Sequence, residues 1–191
     1  IELFKKKEVD LAWSWVSTLE RAGAIPSSLL FEAITSSYLG IKSFSGIEKT
    51  IEKIKQCNRE VGEHHYCALV QCNIARNEKI IPLLHSLMNE IPNLTFRPAQ
   101  CFTIIKALVN SETAEELEDW IEIVKKWHPS YFNTAFVRQQ LLMHYCRTGK
   151  EKQVNVYLKT LGQRDLNTIV VEALFLFYIN KDRVDDAINL F

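Results

Sequence analysis

The sequence predicts an all-α protein, a right-handed α-solenoid built from stacked helix-turn-helix repeats. The main observation is an internal repeat: residues 135–158 and 168–191 each read as an apolar helix, a short polar turn and an amphipathic helix. Similar units recur upstream at roughly 35 residues, the period of helical-hairpin repeats. Alternating strand patterns are not sustained and Asn-Gly or Asp-Gly turns are absent, so no strand is expected.

The repeats organise the chain as a single helical array over residues 1–191, which we interpret as part of a longer protein. A repeat of this kind buries its apolar face only against its neighbours, so the repeats are expected to share one core and one long groove. The units are 1–27 (partial), 28–62, 63–97, 98–134, 135–167 and 168–191 (partial).

The first half of the chain has clear helix punctuation. Apolar residues at helical spacing predict an amphipathic helix over 10–21, the second helix of its unit. Gly23 suits a left-handed helix stop, and Pro26 prevents the helix from continuing. Two apolar runs in the next unit predict helices on either side of a turn at 40–45. The residues that carry these three helices are Leu11, Trp15, Val16 and Leu19, then Leu30, Phe31, Ile34, Tyr38 and Leu39, then Ile47, Ile51 and Ile54.

The next two units repeat the pattern. Pro82 stands where the first turn of a helix is expected, a position that tolerates proline. Ser111 or Thr113 is the candidate N-cap of the second helix in unit 98–134, and residues 128–130 are expected to end that helix. The apolar residues of these helices are Tyr66, Leu69, Val70 and Ile74, Ile80 to Met88, Phe102, Ile104, Ile105 and Leu108, and Leu117, Trp120, Ile121 and Val124.

Composition excludes several functional classes. The 191 residues contain 23 Lys+Arg and 23 Asp+Glu, so a nucleic-acid role would need a local basic stripe instead of a global charge. No apolar run reaches the roughly 20 residues of a membrane span. The cysteines are odd in number and form no C-x-x-C pair, which is typical of free thiols in a reducing compartment.

Three stretches resemble pentatricopeptide repeats, the helical hairpins of organellar RNA-binding proteins. Residues 20–27 (ERAGAIPS) resemble the end of such a repeat. Residues 142–150 (LMHYCRTGK) resemble the end of its first helix and the turn, and residues 183–191 (RVDDAINLF) resemble the start of its second helix. The style of the repeats resembles fungal or other non-plant mitochondrial members. A tetratricopeptide array, which binds peptides, is the alternative with the same hairpin geometry.

The resemblance implies a mitochondrial protein that binds single-stranded RNA in transcript processing, stability or translation. In this family, one residue early in each first helix and the last residue of the repeat help to read a base. The alignment places the early residues at Glu32, Tyr66 or Cys67, Phe102, Gln139 and Glu172, and the repeat-end residues at Ser27, Gly62, Arg97, Thr134 and Asn167. None of the five early residues is the Asn, Ser or Thr usual for the family, so no RNA sequence is predicted.

Single-strand binding without a code remains open: Phe102 or Tyr66 would stack on bases, and Arg138, Lys106 or Arg97 would contact phosphates. The alternative function is a protein-interaction scaffold, such as a subunit of a mitochondrial ribosome or assembly complex. Neither function needs a cofactor, a metal or a small-molecule substrate. No phosphate loop, nucleophile elbow or zinc-protease motif is present, so we expect no enzyme activity.

Overall fold

The chain is described by a computed structural model that covers residues 2–111, 113–132, 134–162 and 166–189. It is all-α, as predicted, and no strand occurs in those residues. The chain forms two compact units, Ile1–Gln100 and Cys101–Phe191. No helix within the described ranges has both the length and the apolar character needed to cross a bilayer.

The first unit is a succession of helices, each of which contacts its neighbours along the chain. Helix α2 packs against α1 and α3 and also against α4, while α3 and α5 pack against α4. Phe31 and Ile34 of α2 are fully buried and form a cluster with Val16 of α1 and Ile54 of α3. The helices are α1 (Glu2–Arg21), α2 (Ser28–Gly40), α3 (Phe44–Gln56), α4 (Glu63–Ala75) and α5 (Ile81–Glu90).

The second unit repeats this contact pattern. Helix α9 packs against α10 and α11, and α11 packs against α12, so the first helices of consecutive hairpins touch as α2 and α4 do. Trp120 of α7 is fully buried and meets Trp127 edge to face at 5.7 Å between ring centroids. Helix α6 (Pro98–Val109) crosses the division between the units. It is followed by a 3-10 turn (Ala114–Glu116), α7 (Leu117–Trp127), α8 (Pro129–Phe132), α9 (Ala135–Arg147), α10 (Glu151–Thr160), α11 (Thr168–Asn180) and α12 (Val184–Ile188).

Residues with a left-handed backbone conformation follow several of the helices. Gly23 has φ 72°, which confirms the predicted stop after α1. Gly149 takes the same conformation after α9, where no Cβ penalty arises. Lys42 and Asp182, at φ 54° and 55°, occupy the matching turns after α2 and α11.

Three predicted details were wrong. The helix predicted over 10–21 begins at Glu2, and two of its predicted core residues, Leu11 and Trp15, are 60% and 57% exposed. Its buried face instead carries Val9 and Val16, because that face is the one packed against α2.

The second hairpin helix of unit 98–134 also starts differently. Thr113 precedes a 3-10 turn, and its side chain makes no capping bond. Ser111 Oγ accepts from the Thr113 N–H at 3.2 Å, before the 3-10 turn begins. Neither residue caps α7, whose N-cap is Glu116. Helix α7 ends at Trp127, which confirms the end predicted at residues 128–130, and Pro129 then starts the short helix α8. The last two residues of the stretch 183–191, predicted as the start of a second helix, lie outside the described residues.

Candidate nucleic-acid interface

The repeat-end residues lie at the N-termini of the first helices. Four of them are N-caps, and three of these cap through their side chains. Ser27 Oγ accepts from the Leu30 N–H at 3.3 Å. The side chains of Thr134 and Asn167 accept in the same way, at 3.4 Å and 3.0 Å, from the N–H of Val137 and Val170. These bonds satisfy backbone donors that the helix leaves free.

The early-helix and repeat-end residues of unit 135–167 come together. Asn167 Nδ2 donates to Gln139 Oε1 at 3.3 Å, while the Asn167 carbonyl oxygen serves the cap. Each half of the amide thus has its own partner. The two side chains that the alignment paired within one repeat therefore lie side by side at one helix N-terminus.

Phe102 is half-buried and packs against Phe136, with 4.9 Å between ring centroids and 51° between ring planes. Lys106 lies on the next turn of the same helix and is exposed. Arg138 is half-buried on the first turn of α9. The second unit thus carries an aromatic pair, an exposed amine and a half-buried guanidinium among the predicted residues.

Glu172 is exposed on α11 and lines an apolar cavity of about 590 Å³ with Val171, Phe175 and Leu176. A carboxylate in apolar surroundings does not favour a phosphate backbone. Glu172, which the alignment assigned to base reading, therefore lies among side chains that are better suited to contact with a protein than with RNA.

One cavity of the first unit brings together Tyr66 and Arg97, the two RNA-binding residues predicted for unit 63–97. Its volume is about 780 Å³, and it lies between the N-terminus of α4 and the segment that leads into α6. The lining residues are Ser28, Arg59, Glu60, Val61, Gly62, Glu63, Tyr66, Ile91, Pro92, Asn93, Leu94, Thr95 and Arg97.

Tyr66 is only 6% exposed, so little of its ring is accessible to a stacking base. Burial, with a smaller contribution from Glu90, raises the pKa of its hydroxyl. The phenol is therefore neutral near pH 7 and available as a hydrogen-bond donor.

Hydrogen bonds hold the backbone of Arg97, whereas its side chain is largely exposed. Its N–H donates to Gln100 Oε1 at 2.9 Å, and its carbonyl accepts from the Gln100 N–H at 2.9 Å. Its guanidinium is 79% exposed and forms an ion pair with Glu63. The α4 N-terminus beside it has no side-chain cap, because Gly62 occupies the N-cap.

The histidine and cysteine cluster of α4 is part of the core. His65 is 2% exposed, and its Nδ1 lies 2.7 Å from Thr35 Oγ1. Burial and the neighbouring His64 lower the pKa of His65 to about 4. Burial raises the pKa of Cys67 to about 11, so its thiol stays protonated. The described residues contain no group of three His, Cys, Asp or Glu side chains placed to hold a metal ion.

Sequence reasoning missed three charged residues of the cavity, Arg59, Glu60 and Glu63. Their position in the sequence could have identified them, because they lie on either side of Gly62 at the start of α4, one repeat upstream of Arg97. Acidic residues in that position usually serve only the helix dipole.

The fold defines an all-α protein in which each unit is made of helices packed against their sequence neighbours. Neither models of known protein families nor curated protein sequences match this chain.

Proposed function

We propose that the chain binds single-stranded RNA along the N-termini of its first helices, and that its hairpins form a right-handed α-solenoid. By its resemblance to organellar repeat proteins, we assign it to mitochondria and to transcript processing, stability or translation, without enzyme activity of its own. The cavity of the first unit is the observation that carries this proposal, because one polar cavity is lined by the early-helix Tyr66 and the repeat-end Arg97.

The chemistry of the cavity suits a nucleotide. Its volume lies in the range of ligand sites, about 300–1,000 Å³. Arg97 extends into solvent and presents planar donors to a phosphate. In the second unit, Phe102 offers an aromatic surface and Lys106 a cation one turn away, the combination that single-strand binders use.

The test is binding of the 191-residue chain to a short labelled oligouridine, measured by fluorescence anisotropy at several salt concentrations. Affinity should fall steeply with salt because phosphate contacts release counterions. Arg97→Ala should weaken binding and reduce the slope of log K against log salt by about 1.

Lys126→Ala is the matched control, since it removes one positive charge from an exposed position on α7. It should leave the slope unchanged. The double variant Arg138→Ala with Gln139→Ala tests the second unit in the same assay. Absence of RNA binding by the wild-type chain at low salt would overturn the proposal.

A protein-interaction scaffold is the second candidate, and α11 favours it. This helix is apolar around its whole circumference, which is typical of a helix surrounded by other helices. Yet Ile169 and Leu176 are 59% and 60% exposed, beside the apolar cavity. Leu176→Glu should abolish co-purification of a protein partner and leave oligouridine binding intact if this candidate is right. Partner binding through this surface should be insensitive to salt.

A further inference from the structure

The cavity beside α4 carries two opposite pairs of charges. Arg59 and Arg97 are balanced by Glu60 and Glu63, all of which line it. A surface made only to attract phosphate would carry an excess of cations. The two carboxylates give the cavity hydrogen-bond acceptors as well as cations.

Glu63 is the carboxylate best placed to accept such donors. Its side chain is 24% exposed, and its Oε1 holds the Arg97 side chain in an ion pair. A carboxylate oxygen in a half-buried position needs a donor, so a ligand that displaces Arg97 must supply one.

Arg97 is a replaceable partner. Its guanidinium is 79% exposed, and an ion pair held largely in solvent contributes little to stability. The side chain can therefore leave Glu63 when a ligand supplies donors to that carboxylate, and can follow a phosphate group, for which its planar donors are suited.

We propose that Glu63 exchanges Arg97 for the Watson–Crick edge of a guanine when RNA enters this cavity, an inference that rests on the proposed RNA-binding function. Guanine presents two adjacent donors, N1–H and the N2 amino group, which match the two oxygens of one carboxylate. Arg97, released from Glu63, then contacts the phosphate of the same nucleotide.

The other bases fit a carboxylate less well. Adenine and cytosine each place a ring-nitrogen acceptor beside their amino group, and uracil places its one N–H between two carbonyl oxygens. Each would bring a lone pair against the second oxygen of Glu63. A site built around paired hydrogen bonds discriminates strongly against ligands that leave a buried group unsatisfied.

The experiment uses oligouridines that differ at one central base, with guanine, inosine, adenine or cytosine in place of uracil. Affinities for the 191-residue chain are measured at constant salt. Guanine should bind roughly tenfold or more tightly than adenine, cytosine or uracil. Inosine, which lacks the N2 amino group, should fall in between.

Glu63→Gln should remove the guanine preference, so that oligomers with guanine, adenine, cytosine or uracil at the central position bind with similar affinity, because an amide presents one acceptor oxygen instead of two. Glu52→Gln, at an exposed position on α3, is the matched control and should keep the preference. Thermal unfolding followed by circular dichroism confirms that both variants are folded.

The outcomes separate this inference from the proposed function. Salt-dependent binding of all oligomers with equal affinity would overturn the guanine site and leave RNA binding intact. A guanine preference that persists in Glu63→Gln would overturn the role of Glu63. Failure to bind any of the oligomers would overturn both.

Discussion

Lys150 Nζ lies 2.7 Å from Glu118 Oε1 and links the turn between α9 and α10 to the start of α7. One hairpin further along, Arg183 Nη1 lies 2.7 Å from Glu151 Oε1 and links the turn before α12 to the start of α10. The second unit thus uses the same type of ion pair at equivalent places in consecutive hairpins. In both places the ion pair joins neighbouring hairpins, and its two residues recur with the repeat.

The Lys150–Glu118 pair should make a modest contribution to stability. Its side chains are 40% and 44% exposed, so solvent screens the attraction and the expected coupling energy is about 0.2–1 kcal/mol. Urea unfolding of Lys150→Ala, Glu118→Gln and the double variant measures this coupling. It should shrink at high salt. Lys152→Ala, at an exposed site on α10, is the control. Zero coupling at low salt would contradict the prediction.

Gly46 should resist replacement although it lies in a helix. A Cβ there would come 2.3 Å from Cδ1 of the Tyr38 ring, and that ring receives a 3.0 Å hydrogen bond from Trp13 Nε1 through its hydroxyl. Overpacking costs about 1–3 kcal/mol, and the better helix propensity of alanine returns about 1 kcal/mol. We expect Gly46→Ala to lower the free energy of unfolding by about 1 kcal/mol.

Chemical unfolding followed by tryptophan fluorescence measures this change, and a shift in the native spectrum would report the displaced Trp13 contact. Ser45→Ala, at the exposed neighbouring position, is the control. A Gly46→Ala variant more stable than wild type would mean that Tyr38 moves aside freely.

His65 should make the fold sensitive to acid. Its pKa is about 4 in the folded protein and 6.5 as the ordinary value, so between these values the unfolded chain binds more protons. Stability should therefore fall as the pH drops from 6.5 towards 4, by on the order of 3 kcal/mol, and should depend little on this group above pH 6.5.

Urea midpoints between pH 7 and pH 4 test this dependence. His65→Gln should flatten it, whereas His85→Gln, at an exposed position on α5, should not. The lowered pKa of the buried His144 acts with the same sign, so some acid sensitivity will persist in His65→Gln. An identical pH profile in wild type and His65→Gln would refute the assignment.

Asn167 separates capping from recognition. Asn167→Ala removes the acceptor for the Val170 N–H and should cost about 1 kcal/mol of stability. Asn167→Asp keeps that acceptor but loses the donor to Gln139, so it should remain stable while binding oligouridine more weakly. Asn155→Ala, exposed on α10, controls for the loss of a surface amide. Equal RNA binding by Asn167→Asp and wild type would leave Asn167 as a cap alone.

The sequence was sufficient for the helices but not for the orientation of α1. Apolar periodicity, Gly23 and Pro26 located the helix and its end. However, α1 carries a second apolar pair, Leu11 and Trp15, away from the buried Val16. Periodicity identifies apolar faces, but the choice between two such faces depends on which one meets α2.

For the cavity beside α4, the repeat alignment identified the lining residue Arg97 but not the acidic residues Glu60 and Glu63. The alignment located Arg97 because repeats preserve position along the chain. Glu63 reads in sequence as an ordinary acidic residue in the first turn of a helix. Its importance appears only when the fold brings it against a side chain from the far end of the same repeat.

The left-handed turns have a consequence for how the chain would respond to laboratory evolution. Gly149 adopts its conformation without a penalty, but Lys42 and Asp182 hold side chains in the same region of backbone space. The turn at Lys42 is closed by main-chain bonds, from the Lys42 N–H to the Leu39 carbonyl at 3.0 Å and from the Ser43 N–H to the Tyr38 carbonyl at 2.9 Å. The bonds that close this turn are made by the main chain, so they do not require the lysine side chain at position 42. Lys42→Gly is therefore a substitution that selection for thermal resistance should recover early, whereas position 149 already carries glycine.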